Sequence, residues 1–239
     1  MLNQLPVRDN VNHYDTFNIR QEFERALGLS TVDYPMVEVA PGAAPKALDG
    51  RGRFQDPYRS NILAVDLDST QQISDAISDA IRTAVLAADL YIVTLGMIEA
   101  WRDRETGLHV WGEQVGRYAP DPDRFELHRA TFQENYENVA WICRTIAERY
   151  PDRKILLTVS PVPIGRTFTD EDVVVANSYT KGQLRAVAGQ INMDFDNVIY
   201  WPSYEMALRA DLFRADGRHV TEEGVRFVIE NILAAHAVH

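Results

Sequence analysis

The sequence has little of what disulfide-stabilised or membrane-spanning proteins need. Cys143 is the one cysteine among 239 residues, which excludes a disulfide within the chain and is typical of a reducing compartment. It lies in an apolar helical pattern, so we interpret it as a core side chain rather than a redox centre. No stretch approaches the roughly 20 apolar residues of a membrane span, and the first ten residues lack the apolar run of a signal peptide. These absences predict a soluble cytoplasmic protein.

Positive charge and ligand-binding motifs are also scarce. The 24 Lys and Arg residues are outnumbered by 35 Asp and Glu, for a net charge of -11. Nucleic acids and anionic membranes are bound by clustered Lys and Arg, so we expect neither as a partner. The chain has no Gly-x-Gly-x-x-Gly motif and no P-loop, and its histidines lack metal-ligand spacing. We therefore expect no cofactor and no metal.

What the sequence does contain is enough apolar residues, 46% of the chain, for a single domain over 1–239. Residues 1–60 show one short amphipathic helix, Asn18 to Leu27, and a Pro/Gly-rich run that predicts irregular structure. The α/β core is expected over 61–239. It begins with a helix for which Ser69 and Gln72 fit a capping box. The apolar stripe of that helix consists of Ile73, Ile77, Ile81, Ala84, Val85 and Ala88.

Three apolar, β-branched runs then alternate with helical patterns. The runs Leu90 to Leu95, 155–159 and 198–201 predict buried parallel strands. The last helix has Thr221 as a plausible N-cap, and the apolar residues of its one face are Val225, Val228, Ile229, Ile232 and Leu233. This alternation predicts an α/β fold with three α/β/α layers and a mostly parallel sheet, whose site lies at the carboxyl ends of the strands.

The loop before the last helix carries the clearest chemical signal. Asp216 lies three residues before His219, so its carboxylate can reach one imidazole nitrogen, fix the tautomer and leave the other nitrogen free as a general base. Spacing alone is weak evidence, because most such pairs are solvated polar residues. The position at the final junction before a helix favours a catalytic pair.

Other strand-end loops supply candidates for an oxyanion or substrate pocket. Glu99 and Trp101 could line such a pocket, or Trp101 could simply cap the core. Ser160 could be a substitute nucleophile, but an ordinary strand exit explains it as well. Tyr204 could donate a hydrogen bond to the pocket, or its ring could be buried for packing. Gly96 ends the first of these strands.

Two further candidates lie one helical turn apart. Asn177 and Lys181 could bind an anionic or hydroxylated substrate. We favour the alternative, a solvated helix face.

Several longer blocks, in order, resemble those of the GSCFA family: LGMIEAWRDRETG, LLTVSPVPIGRTF, ANSYTKGQLR, VIYWPSYEMAL and FRADGRHVTEEGV. HYDTFNIRQEFERALG resembles the segment just after the motif that names that family, so the resemblance covers nearly the whole chain. It implies a flavodoxin-like fold of the SGNH-hydrolase type, with a serine nucleophile after the first strand and an Asp-x-x-His pair matched by Asp216 and His219. Gly96 matches the glycine of a Gly-x-Asn-Asp block.

The chain departs from that pattern in two places. Gly96 is followed by Met97, Ile98 and Glu99, so backbone N–H groups would have to replace the asparagine side chain in the oxyanion hole. The Gly-Ser-Cys-Phe-Ala motif, with its strand and nucleophile, has no counterpart before Val11. Either the polypeptide starts upstream, or the protein folds without that strand and is inactive. We favour the first, because losing a central strand exposes its neighbours.

The resemblance implies an ester hydrolase or acyl (acetyl) transferase that acts on a carbohydrate or other small ester, with the serine upstream of this chain. The alternative is a non-catalytic module that binds a glycan or a protein. A third reading is a flavodoxin-like domain for a phosphate-bearing ligand, although no glycine-rich cradle occurs. The sequence leaves a homo-oligomer open.

Overall fold

The structure, a computed structural model, describes residues 11–39, 53–59, 62–112, 122–209 and 212–236. Most of the Pro/Gly-rich run lies outside these residues. The chain divides into two compact units, the first formed by 1–88 and 99–130 and the second by 89–98 and 131–239. The expectation of one domain over 1–239 stays a prediction.

The first unit combines two helices with two small antiparallel sheets. Its elements are α1 (Thr16–Ala26), β1 (Val37–Glu38), β2 (Phe54–Gln55), β3 (Leu63–Ala64), α2 (Leu67–Ala87), β5 (Glu99–Asp103), β6 (His109–Val110) and β7 (Phe125–Arg129). One sheet has the order β1-β2-β3 and the other the order β6-β5-β7. All described pairings in this unit are antiparallel, so the predicted mostly parallel sheet does not extend to it.

Both helices of the first unit begin with an aspartate cap. The Asp15 side chain accepts from Asn18 N, which starts α1 two residues before the predicted Asn18. The Asp66 side chain accepts from Ser69 N and starts α2 at Leu67. The predicted capping box of Ser69 and Gln72 is therefore wrong, because the carboxylate three residues earlier takes the capping role.

The apolar stripe predicts a helix, which α2 confirms, but most of that stripe is not buried. Only Ile77 of that stripe is buried, whereas Ile73 is 40% exposed. The helix instead buries Thr70 and Ser74 against a polar interior.

That polar interior is a buried ion-pair cluster. Arg59, fully buried, forms an ion pair with Glu22 of α1, and its Nη1 donates to the Ser74 carbonyl at 2.9 Å. The Ser74 hydroxyl donates to Asp56 at 2.7 Å, and His13 Nε2 lies 3.0 Å from Glu22 Oε2. Burial alone would raise the pKa of Glu22, but hydrogen bonds from His13 and Arg59 outweigh it and hold that pKa well below its usual range.

The second unit is built on a parallel sheet. Its elements are β4 (Leu90–Leu95), α3 (Phe132–Arg149), β8 (Lys154–Val159), α4 (Val173–Asp194), β9 (Val198–Trp201), α5 (Ser203–Arg209) and α6 (Glu222–His236). The strand order is β4-β8-β9, and both pairings are parallel. The three predicted strands are thus confirmed. Helix α4 packs against α3, β8 and β9, and α5 against β8.

The helices of this unit follow the sequence only in part. Helix α3 begins with a full capping box between Thr131 and Glu134, and Cys143 is buried within it, as predicted. Burial raises the pKa of the Cys143 thiol to about 12. The Thr221 hydroxyl accepts from Gly224 N at 3.0 Å, which confirms it as the N-cap of α6. The predicted apolar face of α6 is not buried as a whole, because Ile232 is 6% exposed but Leu233 is 58% exposed.

The fold is therefore mixed α/β, with one parallel and two antiparallel sheets among the described residues. No helix in those described ranges is both long and apolar enough to cross a membrane.

Candidate functional site

The carboxyl ends of β4, β8 and β9 meet at one edge of the parallel sheet, which we call the strand-end edge. The residues that follow the strands are Gly96, Ser160 and Pro202. Ser160 N donates to the Leu95 carbonyl at 2.8 Å, so the first two loops start side by side. Ligands of open parallel sheets bind at such edges.

The Asp216 and His219 side chains form the predicted contact. Asp216 Oδ2 lies 2.7 Å from His219 Nδ1, and Oδ1 accepts from the backbone N–H groups of Arg218 and His219, both at 2.9 Å. Gly217, at φ +64, makes the turn that brings the carboxylate back to the ring. Because Nδ1 is engaged, Nε2 is the ring nitrogen left for proton transfer. The catalytic roles themselves stay predictions.

The electrostatics of this pair favour a fixed tautomer. The hydrogen bond from His219, followed by the two backbone N–H groups, holds the pKa of Asp216 well below its usual range. The carboxylate is therefore ionised at neutral pH and holds a proton on His219 Nδ1. Both side chains are about half exposed, at 46% for Asp216 and 58% for His219.

The loop after β8 contacts this pair's loop through Arg218. The Arg218 guanidinium occupies the place where a Cβ atom on Gly165 would lie. Arg218 could not be identified from the sequence, because its role depends on a glycine 53 positions earlier, Gly165. The structure thus joins the Ser160–Gly165 loop to the predicted catalytic pair.

Helix α4 holds two of the strand-end loops. Asn177 Oδ1 accepts from Ile164 N at 3.0 Å, and Lys181 Nζ donates to the Gly96 carbonyl at 3.1 Å. Lys181 is only 2% exposed, so the interpretation of a solvated helix face is wrong for this residue. Desolvation lowers the pKa of Lys181 to about 8.

Ser160 and Tyr204 lie near this edge, and neither contacts Asp216 or His219 through a described hydrogen bond. The Ser160 hydroxyl accepts from Val162 N at 3.3 Å, a local turn contact. Tyr204 is half-buried in the first turn of α5, and its neighbour Glu205 instead receives hydrogen bonds from Arg185 and Tyr200, at 2.6 and 2.8 Å. The pocket roles of Ser160 and Tyr204 stay predictions.

Glu99 and Trp101 belong to β5 of the first unit. Glu99 is 6% exposed. Trp101 packs against a cluster of Tyr58, Leu108, Val110 and Phe125, and its indole lies where a Cβ atom on Gly112 would be. These contacts favour the core interpretation of Trp101, whereas the pocket role of both residues stays a prediction.

Comparison with known proteins identifies a family. The profile of the GSCFA family matches residues 5–232. Neither the curated proteins nor the solved structures include a match to this chain. The family match covers nearly the full length and includes every residue of the strand-end edge. The chain therefore belongs to the GSCFA family.

Proposed function

We propose that this chain carries the acid–base part of an ester hydrolase or acyl transferase. The observation that carries the proposal is the Asp216–His219 pair, with its 2.7 Å contact and its backbone-anchored carboxylate. The loop with this pair is joined to the strand-end edge by the contact of Arg218 with Gly165. An oriented imidazole beside the ends of parallel strands is the arrangement that acyl-transfer chemistry requires.

In the proposed reaction, His219 Nε2 takes the proton of a serine hydroxyl as the serine oxygen bonds to the ester carbonyl carbon. The protonated imidazole then gives that proton to the leaving alcohol, which yields an acyl-serine. Water or an acceptor alcohol releases the acyl group by the reverse sequence. Asp216 keeps the tautomer and stabilises the imidazolium. The proposal assigns the nucleophile to the serine of a Gly-Ser-Cys-Phe-Ala motif, which residues 1–239 do not contain.

The three-layer α/β/α, SGNH-type architecture is part of this proposal. It is supported by the parallel order β4-β8-β9 and by the packing of α4 and α5 against that sheet. A carbohydrate ester, most simply an acetyl ester, is the proposed substrate. That choice rests on analogy with the fold.

The test uses the protein as its native source produces it, with short-chain aryl esters as substrates. We expect His219→Ala to lower kcat by about 10⁴-fold or more, because the general base is lost. Asp216→Asn should give a loss of similar order, because the carboxamide favours the wrong tautomer. His236→Ala is the control, since it removes a histidine outside this loop. Esterase activity retained in His219→Ala would rule out the mechanism.

The second candidate is a non-catalytic module that binds a glycan or a protein at the strand-end edge. The state of Ser160 favours this candidate. Its hydroxyl accepts a hydrogen bond from Val162 N, and no described contact places a general base beside it. Specific glycan binding without ester turnover by the protein from its native source would support this candidate over the first.

A further inference from the structure

The strand-end edge contains a buried ammonium group that forms no ion pair with any described residue. Lys181 is 2% exposed, and its described hydrogen bond is the one to the Gly96 carbonyl. Within the described ranges no salt bridge involves Lys181, and burial is what lowers its pKa. Buried lysines are almost always paired, and a neutral side chain could fill this space at lower cost. The position therefore suggests a use at the site.

Peptide geometry shows what the ammonium does to the loop. The Gly96 carbonyl and the Met97 N–H belong to one peptide group, and no peptide bond in the described chain is cis. In a trans peptide these two groups point in opposite directions. Because the carbonyl is turned to Lys181 on α4, the Met97 N–H is turned away from that helix.

The Met97 N–H is also available. None of the described backbone hydrogen bonds uses it, and Met97 is partly exposed. The corresponding amide after β8 differs, because Ser160 N already donates to Leu95. A cation on the carbonyl oxygen polarises the peptide and strengthens its N–H as a donor.

We propose that Lys181 is a positioning residue that presents the Met97 N–H as an oxyanion donor at the strand-end edge. The inference rests on the proposed ester chemistry and gives it a donor where the chain has no asparagine after Gly96. The buried cation orients the peptide without touching the substrate, and it adds a positive field where negative charge develops.

The experiment follows the Met97 backbone amide by NMR in the 239-residue protein. The probe is methylphosphonate, a tetrahedral anion shaped like the intermediate of acetyl-ester hydrolysis. We expect a saturable downfield shift of the Met97 amide proton in the wild type. In Lys181→Met the Kd from this shift should be at least about tenfold weaker, as for a lost charge-assisted hydrogen bond. Lys181→Arg, which keeps the cation, should recover part of the binding.

Lys154→Met is the matched control. Lys154 also donates its Nζ to a backbone carbonyl, that of Asp196 at 3.2 Å, but it is exposed and lies at the opposite end of β8. Its variant should bind the probe as the wild type does. Amide spectra outside the loop show whether each variant is folded.

Two results would overturn the inference: a Met97 amide that does not respond to the probe in the wild type, or an unchanged Kd in folded Lys181→Met. The readout needs no turnover, so it is separate from the test of the proposed function. Loss of esterase activity in His219→Ala together with a silent Met97 would reject this inference alone. Lysine-dependent probe binding with full activity of His219→Ala would reject the proposed mechanism alone.

Discussion

Individual residues at the strand-end edge show two opposite uses of charge. Asp216 and His219 are half exposed, where an ion pair adds little to stability, so their contact is best understood as orientation. Lys181 is buried and pairs with no carboxylate among the described residues, and this arrangement costs stability. Sequence reasoning identified the first pair because its members are three residues apart. It misjudged Lys181 because spacing on a helix does not tell which face the tertiary structure covers.

The cost of Lys181 gives a prediction at this scale. Lys181→Met keeps the length of the side chain and removes the buried charge, so we expect Tm to stay the same or rise despite the lost hydrogen bond to Gly96. Differential scanning calorimetry near pH 7 measures this Tm. The control variant, Lys154→Met, should change the free energy of unfolding by less than about 0.5 kcal/mol. A fall in Tm of more than about 4 °C in Lys181→Met would show that the ammonium stabilises the fold.

Individual elements were predictable where their pattern is long and uniform. The strands β4, β8 and β9 were predicted because each is a continuous apolar run. The strands of the first unit were not, because β1, β2, β3 and β6 have only two residues each, too few for any pattern to be recognised. The longer strands β5 and β7 mix charged residues with apolar ones, so neither forms a continuous apolar run. The buried faces of α2 and α6 were mispredicted for another reason. An amphipathic stripe shows which face of a helix is apolar, but that face is buried only where other parts of the fold pack against it.

The capping box of α3 gives a prediction at the scale of an element. Thr131 accepts from Glu134 N, and Glu134 accepts from Thr131 N. We expect Thr131→Ala to lower the free energy of unfolding by about 1 kcal/mol, measured by urea denaturation.

Thr83→Ala is the control for that change. Thr83 is exposed within α2, and its hydroxyl donates to the Asp79 carbonyl one turn earlier, so its removal should be neutral or slightly stabilising. Equal effects of the two substitutions would contradict the capping argument.

At the scale of the whole molecule, the two units are stabilised by different chemistry. The second unit contains a strand, β8, that is buried over five consecutive residues from Ile155 to Val159. The first unit contains the ion-pair cluster of Glu22 and Arg59, together with the buried Asp103 paired to Arg124. Burial would raise the pKa of Asp103, but hydrogen bonds from Arg124 and its neighbours lower it.

Acid should therefore destabilise the first unit before the second. The pKa values of Glu22 and Asp103 are lowered in the folded chain, so their stabilisation is complete above the ordinary pKa values near 4 and is lost as pH falls below them. The effect of Asp15 on stability has the opposite sign, because burial raises its pKa. Asp15 therefore offsets part of the stability that acid removes. In the second unit the carboxyl groups of Asp216 and Glu205 also have lowered pKa values. Their side chains are 46% and 39% exposed, so they contribute little to the pH dependence of stability.

Hydrogen exchange measured between pH 6 and 3, and corrected for the intrinsic rate, should show loss of protection in α1 before α3 and β8. Glu22→Gln should lower stability at pH 7 by about 3–5 kcal/mol, because it leaves Arg59 buried without its charge partner, and should flatten the acid dependence. Loss of protection in β8 before α1 would contradict the prediction that acid destabilises the first unit first.

The sequence by itself determined the parallel strands, the pairing of Asp216 with His219, the core position of Cys143 and the family, because each depends on local pattern or on ordered blocks of residues. Only the tertiary structure decided that Lys181 is buried against Gly96, that Arg218 packs on Gly165, and that Arg59 meets Glu22. Those contacts join residues 37 to 85 positions apart, and no local preference encodes which of many charged side chains will lose its water.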